Sequence, residues 1–102
     1  MDEKRRHPRV VINLPVSCDV AGGQQFQANA RDVSVGGMFV EASVAPAFGA
    51  QITIVGDFPG RPGMRIPAIV RWVTSDGFGV QFGLLGAHET HVLAAIVHKG
   101  RG

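Results

Sequence analysis

Several residue types that commonly mark function are scarce in this chain of 102 residues. Its single cysteine, Cys18, excludes an internal disulfide and is compatible with a reducing compartment. No apolar run reaches the eighteen or so residues that a membrane-spanning helix needs, and the charged start lacks the apolar stretch of a signal peptide. We therefore expect a cytoplasmic chain with no membrane partner.

Catalytic and metal-binding patterns are also lacking. The chain has no Gly-x-Ser-x-Gly elbow, no cysteine with an evident histidine partner and no phosphate loop. His88 and His91 lie one helical turn apart, but His98 lies roughly 10 Å further along a helix, too far to share an ion with them. The carboxylates are scattered over predicted strands and turns. We expect no enzyme, no cofactor and no metal site.

Charge is sparse and unevenly placed. Charged residues make up 18% of the chain and hydrophobic residues 45%, which is typical of a globular domain. Four of the ten basic residues lie within residues 1–9, whereas the rest of the chain has six basic and six acidic residues. The positive field is therefore confined to an N-terminal arm, and the body is not a general nucleic-acid-binding surface.

What the chain does contain is a series of short strands. From Val10 to Val20 every even position is apolar, and this period of two is typical of a strand with one buried face. Similar patterns, separated by turn residues such as Asp76-Gly77, continue along the chain. They predict strands near residues 10–20, 25–31, 38–41, 51–55, 64–72 and 78–82. Six strands in about 75 residues favour a small antiparallel barrel, because closure removes exposed edges.

The period changes after Gly86. Apolar residues then recur at helical spacing from Val92 to Val97, with Glu89 in the first turn and Lys99-Gly100 at the end. A helix this short must pack its apolar stripe on the barrel. We expect two parts: a mobile arm at residues 1–9, and a barrel with its helix at residues 10–99.

Two polar stretches are the candidate binding residues. The first, Arg5-Arg6-His7-Pro8-Arg9, supplies planar guanidinium donors, which suit phosphates and the acceptor edge of guanine. The second, Asp32-Val33-Ser34-Val35-Gly36-Gly37, supplies a carboxylate that suits the N–H donors of guanine. Each stretch alone has a simpler interpretation, a solvated tail and an Asx-type turn. Together they favour an anionic ligand that contains guanine.

The same stretches resemble the two signatures of PilZ domains. Arg5 and Arg9 occupy the arginines of RxxxR, and Asp32, Ser34 and Gly37 occupy the fixed places of (D/N)xSxxG. The stretches 69–72 and 79–82 are similar to the last two strands of that family. The resemblance covers essentially the whole chain, and neither motif departs from the family pattern.

The resemblance implies a six-stranded antiparallel barrel with a C-terminal helix, and a receptor for the second messenger cyclic di-GMP. It implies that Arg5 and Arg9 hold phosphates and guanine edges, while Asp32 and Ser34 bind a guanine base. Gly36 and Gly37 would let the backbone come close to the ligand. In relatives, a basic residue ahead of the motif, here Lys4, tends to accompany two stacked nucleotides.

Two further residues complete the candidate set. Arg6 lies between the two signature arginines, and Trp72 is expected in the core or at a barrel end, with stacking on a ligand base as the alternative. We expect the arm to change conformation on binding and to signal to an unidentified downstream protein. A nucleotide-independent interaction module remains an alternative. A general single-stranded nucleic-acid binder is a weaker one, because the chain has no tyrosine and no basic charge spread over the barrel.

Overall fold

A computed structural model describes residues 9–100, and the predicted arm therefore lies, except for Arg9, outside the described residues. Six strands and one helix follow one another along the chain. They are β1 (Val10–Val20), β2 (Gln25–Val33), β3 (Gly37–Glu41), β4 (Gln51–Phe58), β5 (Arg61–Thr74), β6 (Gly77–Phe82) and α1 (Ala87–Gly100).

The strands form a closed antiparallel barrel in the order β1-β2-β3-β6-β5-β4, with β4 pairing back to β1. The predicted fold class, an all-β barrel of six strands with a C-terminal helix, is confirmed. Closure pairs every strand on both sides, so no long edge is left open to another chain.

Three strands are longer than predicted by two residues or more, and β3 and β6 each begin one residue earlier than predicted. β2 continues to Val33, β4 continues to Phe58, and β5 runs from Arg61 to Thr74. The turn between β5 and β6 is Ser75-Asp76, one residue earlier than predicted, because Gly77 already pairs with Glu41 and Thr74. Through these extensions, polar residues that the apolar–polar alternation did not assign to strands also pair in the sheet.

Alternate side chains of the strands fill the barrel interior. The largest fully buried ones include Phe58 and Phe78, and the core cluster draws residues from all six strands. Helix α1 adds Val92, Leu93 and Val97 to the same core and lies against β1 and β5. The predicted docking of the helical stripe is thus confirmed. The helix lies near the start of β1, the strand that Arg9 directly precedes.

Candidate functional site

The candidate site is a row of residues that crosses the outer surface of five strands. Directly paired residues share one face of a sheet. The register pairs Val11 with Asp32, Asp32 with Phe39, Phe39 with Gly79, and Gly79 with Trp72. Val11 and Trp72, at the two ends, are 80% and 41% exposed, so the row faces outward. We call these five residues the outer row.

Two irregularities in the strands put Asp32 and Trp72 on that row. Ala30 is fully buried and points into the barrel, so strict alternation would also bury Asp32. The register shifts by one residue at Arg31, and Asp32 therefore points outward while Val33 is buried. A β-bulge re-aims side chains in this way.

The second irregularity corrects the core position that was one of the predictions for Trp72. Its even position groups it with the inward-facing Met64, Ile66, Ala68 and Val70, which made a core or barrel-end position the first expectation. The register between β5 and β6 shifts at Arg71, so Trp72 pairs with Gly79 on the outside instead. Its indole is consequently available at the surface rather than enclosed in the core.

Arg9 contacts two residues of the outer row, Asp32 and Trp72. It directly precedes β1, and its Nη1 donates to Asp32 Oδ1 at 2.5 Å. Its guanidinium carbon also lies 5.8 Å from the centroid of the Trp72 ring, within the range of a cation–π contact. The two charged side chains are about a quarter to a third exposed (26% and 30%), so their attraction is screened less than that of a fully exposed pair.

Ser34 and Gly37 build the turn that follows Asp32. The Ser34 hydroxyl accepts hydrogen bonds from the backbone N–H groups of Gly36 and Gly37, at 3.1 and 3.2 Å. The Ser34 backbone N–H donates to the Gly37 carbonyl at 2.8 Å, and the residue is 4% exposed. In this structure the hydroxyl thus serves the turn, and the turn holds the end of β2 beside the start of β3.

Glycine is required at two positions of the candidate site because strands or side chains come very close there. A Cβ at Gly37 would overlap the carbonyl oxygen of Val80 on β6. A Cβ at Gly79 would overlap the indole of Trp72, which lies directly over that position. Gly37 therefore permits close strand pairing, and Gly79 forms the flat surface on which Trp72 lies.

The sequence-predicted residues are thus distributed in three groups. Arg9, Asp32 and Trp72 come together, and Ser34, Gly36 and Gly37 form the adjacent turn. Lys4, Arg5 and Arg6 lie outside the described residues, so their roles remain predictions. The sequence analysis did not select Phe39 or Gly79. A glycine between the apolar Phe78 and Val80 of a strand is a signal of close approach that could have found Gly79.

Other reactive groups of the described residues lie away from this row. Burial, and to a lesser degree the nearby Asp19 charge, raises the pKa of the Cys18 thiol from 9.0 to about 12, which keeps it protonated. His88 contacts the Arg61 guanidinium at 2.7 Å. Within residues 9–100 no three His, Cys, Asp or Glu side chains are grouped so that they could hold a metal ion. The described part of the chain also has no helix long and apolar enough to cross a membrane.

Solved structures with the same fold can now be compared with this barrel. Bacillus subtilis Inhibitor of motility (MotI/DgrA) is 15% identical, with a TM-score of 0.81 over 98% of this chain and 52% of its own. This chain therefore spans about half the length of MotI/DgrA. The PilZ domain of YcgR from Escherichia coli, solved with c-di-GMP, is 13% identical, with a TM-score of 0.78 over 97% and 92%.

A third structure, the PilZ domain of CeSA from a cellulose-synthesizing bacterium, is 15% identical, with a TM-score of 0.75 over 93% of this chain and 99% of its own. At these identities the similarities establish the fold. No curated protein sequence is significantly similar to this chain. The family model described as PilZ domain, however, matches residues 3–99, and because it covers nearly the whole sequence, including both signatures, this chain belongs to the PilZ domain family.

Proposed function

We propose that this domain is a receptor for cyclic di-GMP, not an enzyme, and that it signals to a downstream protein through its N-terminal arm. The observation that carries the proposal is the convergence of Arg9, Asp32 and Trp72 on one outer surface. A guanidinium, a carboxylate and an aromatic face are the three groups that a guanine nucleotide needs. Family membership and the c-di-GMP complex of the similar YcgR domain support the same ligand.

Each part of the ligand has a matching group. Guanine presents N1–H and N2–H₂ as adjacent donors, which the Asp32 carboxylate accepts. The flat face of the base stacks on Trp72, as bases stack on aromatic side chains in proteins that bind single-stranded nucleic acids. Arg9, together with Arg5 from the arm, binds the phosphates through charge-assisted hydrogen bonds.

The turn residues act on the ligand through the position of Asp32. Ser34 and Gly37 hold β2 and β3 together directly after the carboxylate, which keeps it at a fixed depth on the surface. For the Ser34 hydroxyl to contact guanine directly, it would have to give up a hydrogen bond that it makes within the turn. Gly36, whose carbonyl accepts from the Phe82 N–H at 2.9 Å, ties the same turn to β6.

Binding also supplies a mechanism for signalling. Residues before Val10 contain almost no apolar side chains that could pack on the barrel. A ligand that contacts both the arm and the outer row orders the arm across the barrel and changes the surface that a partner meets. Lys4 and Arg6 add positive charge to that segment, which would favour a second stacked nucleotide.

The proposal is tested by isothermal titration of the protein with cyclic di-GMP. A micromolar dissociation constant corresponds to about −8 kcal/mol, and each charge-assisted hydrogen bond contributes roughly 1.5–3 kcal/mol. Arg5→Ala and Arg9→Ala should therefore each weaken binding at least about tenfold.

Arg65→Ala is the matched control for these variants. Arg65 is an exposed arginine on β5 that lies near Asp19, 3.8 Å away, and takes no part in the outer row. It should leave the affinity unchanged. No heat of binding with the wild type would leave the domain as a nucleotide-independent interaction module. Equal affinities in all three variants, with normal circular dichroism, would refute the assignment of Arg5 and Arg9 to the binding site.

A further inference from the structure

The arrangement of Arg9 has a feature that the proposed function does not require. The groups assigned to guanine, the Asp32 carboxylate and the Trp72 face, are both in contact with the Arg9 guanidinium. A guanidinium and the N1–C2–N2 edge of guanine have the same local shape, a planar carbon–nitrogen unit with adjacent N–H donors. Arg9 thus makes the contacts that the base would make.

We infer that Arg9 occupies the guanine position of the ligand-free domain, and that ligand binding displaces it from Asp32 towards a phosphate. The inference rests on the proposed function for the identity of the ligand. It adds that a single residue competes with the base for Asp32 and also binds the same ligand. Arg9 therefore sets how tightly the domain binds cyclic di-GMP.

The partial burial of Asp32 explains why its carboxylate needs such a partner. Asp32 is only 30% exposed, so a carboxylate left there without a partner would have lost part of its hydration with no compensating hydrogen bond. Asp32 and Arg9 both lie on the outer face, and the neighbouring Val10 and Val33 pair with their side chains turned towards the core. Arg9 directly precedes β1 and meets Asp32 through its side chain, so a rotation of that side chain breaks the pair without moving the strand.

The exchange leaves no charge unpaired at its end. Before binding, Arg9 donates to Asp32; after binding, the guanine N–H groups donate to Asp32 and Arg9 donates to a phosphate oxygen. A nucleoside that has the base but no phosphate can satisfy only half of this exchange, since it displaces Arg9 without offering it a new acceptor. Phosphate-free guanosine should therefore bind poorly to the wild type.

One substitution at Arg9 should therefore change the affinities for guanosine and for cyclic di-GMP in opposite directions. Arg9→Ala removes the competitor and the phosphate contact together. It should tighten guanosine binding about tenfold, as expected if the site is open in about a tenth of the molecules, while it weakens cyclic di-GMP binding. Tenfold corresponds to about 1.4 kcal/mol. Arg9→Lys keeps the charge but loses the planar fork, so its affinity for guanosine should lie between those of the wild type and Arg9→Ala.

The measurement uses the indole N–H resonance of Trp72, the chain's only tryptophan, in two-dimensional NMR titrations with guanosine. Adenosine is the control, because it stacks but has no donor edge for Asp32. The gain on Arg9→Ala should be at least threefold larger for guanosine than for adenosine. In Arg9→Ala/Asp32→Asn this difference should vanish.

A chemical complementation provides a second readout. Millimolar methylguanidinium should return the Trp72 resonance of Arg9→Ala towards its wild-type position, whereas equal sodium chloride should not, and Asp32→Asn should abolish the effect. The inference that Arg9 occupies the guanine position is refuted if guanosine binds Arg9→Ala no better than wild type. It is also refuted if methylguanidinium has no more effect than sodium chloride. Failure of the wild type to bind cyclic di-GMP refutes the proposed function instead, because neither of these two readouts uses that ligand.

Discussion

Gly37 provides a direct test of how the binding turn is built. The sequence assigned this glycine to close approach of the ligand, whereas the structure gives it a role in the fold itself. A Cβ on residue 37 would overlap the Val80 carbonyl oxygen. That oxygen belongs to the backbone, so no flexible side chain can move away to make room. The clash is between backbone and Cβ, so β3 and β6 must separate by on the order of 1 Å to relieve it.

The cost of that separation follows from the hydrogen bonds around the turn. The Ser34 N–H to Gly37 carbonyl bond, at 2.8 Å, and the Phe82 N–H to Gly36 carbonyl bond, at 2.9 Å, both span the region that must move. At roughly 0.5–1.5 kcal/mol net for each bond, with some loss of packing, Gly37→Ala should destabilise the domain by about 2–3 kcal/mol. For a domain of this size, this lowers Tm by about 10–20 °C.

Urea denaturation followed by circular dichroism measures this free energy of unfolding. Gly83→Ala is the matched control, because a Cβ there meets its nearest neighbour, the Pro67 carbonyl oxygen, at an ordinary 3.6 Å. The control should change stability by less than about 0.5 kcal/mol. If Gly37→Ala is as stable as the control, the close approach of β3 and β6 does not constrain this position and the reasoning is wrong.

Three further predictions concern base selection, the arm and the core. Cyclic di-AMP should bind at least about a hundredfold more weakly than cyclic di-GMP in competition titrations, because adenine sets an acceptor against the Asp32 carboxylate. Asp32→Ala should reduce this difference in affinity. Equal affinities of the two dinucleotides in the wild type would mean that the Asp-x-Ser stretch is only a turn. Amide exchange of residues 4–9 should slow when cyclic di-GMP is added, and full protection without ligand would contradict a switch in the arm. The buried Cys18 thiol has a pKa raised from 9.0 to about 12, so its contribution to stability is complete below pH 9 and is lost as the pH rises towards 12. In Cys18→Ala, the free energy of unfolding measured by urea denaturation should no longer show this decrease at alkaline pH. An identical pH profile in both proteins would refute the assignment of the decrease to the Cys18 thiol.

Much of the fold could be predicted from local patterns. The period of two from Val10 to Val20 gave the limits of β1 as the structure has them, and the change of period after Gly86 located α1. These signals are strong because a one-sided strand and a one-sided helix impose different spacings on apolar residues. The closed order of the strands was inferred from their number and short turns, and it is confirmed.

The pattern was misleading where the strands are irregular. Extrapolating the alternation through Ala30 would place Asp32 inside the barrel, and the same extrapolation through Val70 grouped Trp72 with the core. Each bulge inserts one residue, Arg31 or Arg71, and reverses the face of everything that follows it. Neither residue has a local signature of a bulge, because the shift is set by how two strands pair across the sheet.

By itself, the sequence determined the strand and helix segments, the two signatures and hence the family, since these depend on spacing along the chain. The tertiary structure decided that Asp32 and Trp72 meet on one outer row and that Arg9 contacts both of them. It also decided that Ser34 is buried within its turn. The physical reason is that these contacts join residues far apart in sequence, and their geometry depends on strand register, which one misplaced residue is enough to invert.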